Sequence, residues 1–195
     1  ILASRDMILA LAITTIFNTM WMVSGSFWGL FVTGTLLIPE HYLAFFPILR
    51  SIVIAFFLFF VQPKLERFGF RNPMLIGLVL FVVSTTLLIL TPTEALWLLL
   101  ISIFIDALAY GFVIPRSDSL TQLLIEPSER ARIRAIMMVI VLGISFPFGY
   151  IAGWLSEMDR RLPFVLCGLL MILVFTVIAS SKKRLLAIQK EHAPE

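Results

Sequence analysis

Six long apolar stretches, separated by short polar joints, occupy almost the whole of this chain and constrain its fold more than any motif does. They run over 7–38, 43–61, 74–90, 95–125, 132–155 and 162–180. An α-helix needs about 20 residues to cross roughly 30 Å of hydrocarbon, and each stretch reaches or approaches that length. The bilayer core holds no water, so every backbone amide and carbonyl in it must find its partner within the protein. The pattern predicts an all-α, polytopic membrane protein with six transmembrane helices. A membrane β-barrel is excluded by the run Phe56-Phe57-Leu58-Phe59-Phe60-Val61, which lacks the polar–apolar alternation of barrel strands.

Charge is correspondingly scarce: 14% of residues are charged, against about 25% in ordinary globular chains. Residues 1–181 read as one six-helix bundle and 182–195 as a basic cytoplasmic tail, either amphipathic on the inner surface or, equally, a frayed solvated terminus. The first span is too long for a cleaved signal peptide, and further spans follow it. The chain opens on Ile1 rather than Met, and an upstream segment is expected. The lone cysteine, Cys167, lies inside the sixth span and reads as inert filler.

Orientation follows from the basic residues on alternate joints. Arg5, Lys64, Arg67, Arg71, Arg130, Arg132, Arg134, Lys182, Lys183, Arg184 and Lys190 fall on one side, and only Arg160 and Arg161 on the other. This places both termini in the cytoplasm of a cell-membrane protein. Basic residues beside anionic lipid account for the net charge of +3, so no nucleic-acid partner is called for. Pro73 and Pro163 open the third and sixth helices, and Ser128 caps the fifth.

The spans are not alike. The third and sixth carry no ionisable residue, their hydroxyls can bond their own backbone, and both can face lipid all round. The first, second, fourth and fifth carry the polar, small and charged positions. Two marked helices followed by one smooth helix occurs twice, the three-helix repeat of transporter design.

Arg50, Asp106, Arg116 and Asp118 lie inside spans, where an ionised side chain facing lipid costs roughly 2.5–3.5 kcal/mol. They are expected to point into protein or a wet cavity. Asp106 lies near mid-membrane, with Tyr110 one turn further on the same face. At such depth it is a candidate proton carrier or, equally, a structural charge paired with Arg50. Arg116 is expected in a cavity or against an anion, and Asp118 in an inner-surface ion pair. Thr14 and Asn18, one turn apart on the first span, are path candidates alongside Trp21. Gly25 and Gly29 on the first span, and Ser145, Gly149 and Gly153 on the fifth, place small residues four apart and read as close helix contacts. Pro115 and Pro147 interrupt their helices and can bend them.

The joint Pro63-Lys-Leu-Glu-Arg-Phe-Gly-Phe-Arg-Asn-Pro73 resembles the cytoplasmic loop signature of the major facilitator superfamily, with Glu66, Arg67, Gly69 and Arg71 matching. Gln62, Lys64 and Phe70 depart from it. The passage Gly111-x-x-x-Pro115, Leu120, Pro127-x-x-Arg130 and the Gly143…Pro147-x-Gly149…Gly153 helix is similar to the family's fourth-to-fifth helix region. The likeness covers essentially the whole chain and is best to the C-terminal half of a twelve-helix carrier. It implies a partner six-helix half, a small-molecule substrate, alternating access, efflux as a reasonable direction, and a latch in which Glu66 meets Arg130, Arg134 or the amides of the fifth helix.

The leading expectation is therefore a secondary transporter half, with Asp106 coupling protons and Arg50 and Arg116 in solute or ion-pair roles. The alternative is a non-transporting membrane interaction or sensor module that kept the fold. An enzyme is disfavoured, since the sequence has no HExxH, CxxC or Walker-type loop, and no cofactor or metal is expected.

Overall fold

The computed structural model describes residues 5–65, 69, 71–126 and 128–181. Six helices long and apolar enough to cross a membrane follow one another, and no strand occurs among the described residues. The first helix is Arg5–Gly34. The second is preceded by a 3-10 turn, Glu40–Tyr42, and runs as Phe45–Phe56, π-helical Phe57–Val61 and Gln62–Leu65. The third is Arg71–Leu90, the fourth Leu96–Leu123, the fifth Arg130–Met158 and the sixth Leu162–Ser180.

Local chemistry explains most of the boundaries. Pro163 sits in the first turn of the sixth helix and Pro73 in that of the third, where the amide a proline lacks would have no intrahelical partner. Gly69 turns the chain between the second and third helices at φ 71°, a left-handed conformation glycine enters freely. The fifth helix starts differently from expectation: Glu129, not Ser128, holds the N-cap position, and no side chain bonds there. The π turn in the second helix has an identifiable cause in Pro63. Its ring crowds the carbonyl four residues back, and the helix widens so that the Gln62 amide donates to Phe57 O, five residues back. The helices containing Pro115 and Pro147 continue through both prolines.

The third helix is central, packed between the fourth and the sixth, while the first packs on the fifth and sixth and the second on the fourth. This corrects the reading of the third and sixth helices as lipid-facing all round. Each buries one face, including Met74, Leu78 and Phe81 on the third and Cys167, Met171 and Val174 on the sixth. The second helix buries only Phe46 and Phe57 among its described residues. The reason is that lipid tails are as apolar as leucine, so a uniformly apolar helix loses nothing by moving to the middle of the bundle.

Close approach is set by Gly77 and Gly111. A Cβ at Gly77 would lie 2.5 Å from Val113 Cγ2 and 3.1 Å from Ala109 O, and one at Gly111 would overlap the Phe57 ring. Above Gly77, Ser84 and Ser102 bond reciprocally: each hydroxyl donates to the other's carbonyl, at 2.9 and 3.1 Å. Ser84 therefore ties two helices together instead of bonding its own backbone, as Thr86 does to Val82 O.

Candidate functional site

On the second helix, Arg50 points toward the fourth, and its Nε donates to Asp106 Oδ2 at 2.8 Å. The Arg50 guanidinium also lies 4.5 Å from the Trp21 ring centre and 5.1 Å from that of Tyr110. The two rings are themselves 5.3 Å apart. Three helices thus hold one cation against a carboxylate and two aromatic faces, contacts worth about 0.5–2 kcal/mol for each ring. The pair lines a cavity of about 310 Å³ with walls of Met20, Trp28, Phe46, Phe81, Ile103 and Phe164. Ser24, Ser51 and Thr85 add hydroxyls that have no hydrogen-bond partner among the described residues. The wall includes the third and sixth helices and omits the fifth, whereas the sequence pattern pointed to the first, second, fourth and fifth.

A second cavity, of about 540 Å³, opens between the first, fourth and fifth helices. Thr14 and Asn18 line it together with Asp118, Thr121, Arg130 and Arg134. Asn18 Nδ2 donates to Thr14 O at 3.1 Å, and Thr14 Oγ1 is buried without a hydrogen-bond partner among the described residues. Asp118 forms no ion pair among the described residues. It faces the same cavity as Arg130 and Arg134.

The two cavities are stacked along one stripe of the first helix. Thr14, Asn18, Trp21, Gly25 and Trp28 recur at the three- and four-residue spacing of a single helical face. The first two line one cavity and the last three the other. On the fourth helix, Tyr110 likewise falls between Asp106 and Asp118. The Trp21–Arg50–Tyr110 cluster stands where one cavity gives way to the next.

Arg116 joins neither cavity. It is buried, and its Nη1 donates to Gln62 Oε1 at 2.7 Å. The π turn at Phe57–Val61 is what presents Gln62 to it. Of the loop signature, Glu66 and Arg67 lie outside the described residues. Arg71 donates from Nη2 to Ala179 O at 3.4 Å, joining the third helix to the sixth, and Arg130 Nε donates to Ile125 O at 3.4 Å.

The small residues divide. Ser145 meets Thr19 at 2.7 Å, and Gly149 stands close enough to the first helix that a Cβ would lie 3.2 Å from Met22 Cε. Gly153 is in ordinary contact range of Phe27. Gly25 and Gly29 meet no other helix among the described residues: a Cβ on either has nothing within 4 Å, and Gly25 borders the first cavity. Gln62, the Ser84–Ser102 pair and Gly77 had no sequence signal that tied them to a site.

A bundle of six spans with intramembrane charge turned inward narrows the possibilities, and the family model described as the Major Facilitator Superfamily matches residues 8–192. The chain belongs to the major facilitator superfamily. It is a multi-pass membrane transporter of that superfamily, its environment is a lipid bilayer, and its six helices fit one half of the facilitator bundle. No curated protein and no solved structure matches this facilitator chain.

Proposed function

We propose that this chain is half of a secondary transporter that moves a small solute by alternating access, working against a second six-helix unit, with protons as the coupling ion and efflux as the direction. The observation that carries this reading is the stacking of two cavities along one face of the first helix, divided by the Trp21–Arg50–Tyr110 cluster. A solute that parts Arg50 from Asp106 frees a carboxylate to exchange a proton. That gives Asp106 the coupling role and Arg50 the solute role.

Apolar side chains on the second and fifth helices, Phe59 (77% exposed) and Phe146 (78%) among them, offer faces for the second unit or for lipid. The basic joints support cytoplasmic termini, and the proposed location is the cell membrane. Arg130 and Arg134 line the second cavity, and in this reading they are the partners that Glu66 would meet in the loop latch.

The test is labelling of the whole protein by a membrane-impermeant maleimide in a Cys167→Ser background. Ser51→Cys, on the cavity of Arg50 and Asp106, should react from one face of the membrane or the other as the state changes, and Thr121→Cys from one face alone. Reaction of Ser51→Cys from both faces at the same time would describe an open pore and refute alternating access. Transport indifferent to Asp106→Asn and to a pH gradient would remove the coupling role.

A further inference from the structure

The charged pair is chemically lopsided, and this selects among solutes. A guanidinium keeps its proton at every accessible pH, whereas a carboxyl can be neutralised by taking one up. Suppose a cationic solute sat on Asp106. Arg50 would remain charged, and the cavity would hold a net positive charge between apolar walls such as Met20, Phe46 and Phe164. An anionic solute on Arg50 leaves no such debt, because the displaced Asp106 can accept a proton and the cavity stays neutral. The aromatic faces point the same way: those of Trp21 and Tyr110 that could hold a cationic solute already hold Arg50. Meanwhile the terminal nitrogens of Arg50 donate no hydrogen bond among the described residues, so the planar fork that grips a carboxylate is open.

Resting on the transporter reading above, we infer that the solute is an amphipathic monocarboxylate, held through its carboxylate by Arg50 while Asp106 takes up a proton. The apolar body lies along the cavity wall, which also carries the hydroxyls of Ser51 and Thr85, without a partner among the described residues. The proton comes from water on the side where the solute enters. It bonds to a carboxylate oxygen of Asp106 as Arg50 turns to the solute. It leaves to water on the other side when the solute departs and the Arg50–Asp106 bond re-forms. One anion and one proton move together, without net charge, so on this inference efflux runs down the solute's own gradient and an inward proton gradient opposes it. The titratable or charged groups that face Asp106 are Arg50 from the second helix and Tyr110 from its own, with Cys167 of the sixth on the same cavity. The first and third helices bring none to it.

The experiment is calorimetry on the whole detergent-solubilised protein, in two buffers of different ionisation enthalpy. Phenylacetate and octanoate are the probes, with phenethylammonium, phenylalanine and phenethyl alcohol as cationic, zwitterionic and neutral counterparts. The acids should bind with uptake of about one proton, so that affinity falls about tenfold for each unit of rising pH. Asp106→Asn should bind them without proton uptake and without that pH dependence, and Arg50→Gln should bind them at least about tenfold more weakly, one lost charge-assisted contact. Tighter binding of the amine, the amino acid or the alcohol overturns the inference. So does acid binding without proton uptake, or no acid binding by wild-type protein that still unfolds cooperatively. The maleimide pattern at positions 51 and 121 does not depend on solute charge, so failure of the solute class and failure of alternating access are separate results.

Discussion

Replacing Gly77 by alanine tests the packing that frames the cavity. The added Cβ would stand 2.5 Å from Val113 Cγ2, 2.8 Å from Phe112 Cβ and 3.1 Å from Ala109 O. Comfortable carbon–carbon contact is about 3.5–4.0 Å, so the third and fourth helices must part by on the order of 1 Å. Phe112 Cβ and Ala109 O are fixed to the helix and cannot rotate away. Two turns along the same face, the Ser84 and Ser102 bonds of 2.9 and 3.1 Å would be stretched toward breaking. Overpacking costs about 1–3 kcal/mol, and interhelical hydrogen bonds in membranes average about 0.6 kcal/mol each. The sum is about 2–4 kcal/mol, which corresponds to a loss of roughly 5–15 °C in Tm for a chain of this size.

The assay is thermal unfolding of the whole protein in detergent, followed by size-exclusion chromatography. Gly25→Ala and Gly29→Ala are the controls, because their Cβ atoms meet nothing within 4 Å. Alanine is the better helix former by up to about 1 kcal/mol, so these two should match or exceed the wild-type Tm. The double variant Gly77→Ala, Val113→Ala should recover part of the loss and not all of it, since the Ala109 carbonyl stays in place. If Gly77→Ala melts within about 2 °C of Gly25→Ala, the close approach of the third and fourth helices described here is wrong.

Three further outcomes follow from the geometry. Asp106→Asn strands the partly buried Arg50 charge, at about 3 kcal/mol or less given the pair's access to the cavity; Arg50→Gln should cost less because Asp106 can take up a proton, and the double variant should be more stable than Asp106→Asn in thermal melts. At the contact of the first and fifth helices, Thr19 donates its one proton to Thr15 O, so Ser145 must be the donor to Thr19. Ser145→Ala should therefore cost only about 0.6 kcal/mol, and Thr19→Val, which loses both bonds, should melt lower. Gly111→Val drives methyl groups into the Phe57 ring and should cost about 1–3 kcal/mol. Phe57→Ala should rescue it, and equal instability with and without Phe57 would show that the strain lies elsewhere.

The number of helices, their order and their approximate ends were legible because the bilayer enforces them. A span must be long and apolar, and its backbone must bond to itself, so length and hydropathy decide the element. The inward turn of Arg50 and Asp106 was legible for the same reason: an ion facing oil is too costly to leave there. The loop and helix motifs were enough to indicate the superfamily. What the chain could not reveal is which side of each apolar helix faces protein. In water a buried face differs in polarity from an exposed one. In lipid the two are chemically alike, and small differences in shape choose between them. Hence Gly25 and Gly29 read as contacts and pack on no helix among the described residues, while Gly77 and Gly111 became the close approaches. For the same reason the third helix, whose span 74–90 holds no ionisable residue, came to occupy the centre. The partners of Arg116 and Ser84 were also decided in three dimensions. A hydrogen bond between Gln62 and Arg116, 54 positions apart, depends not only on the π turn beside Pro63 but on two helix rotations that no local pattern encodes.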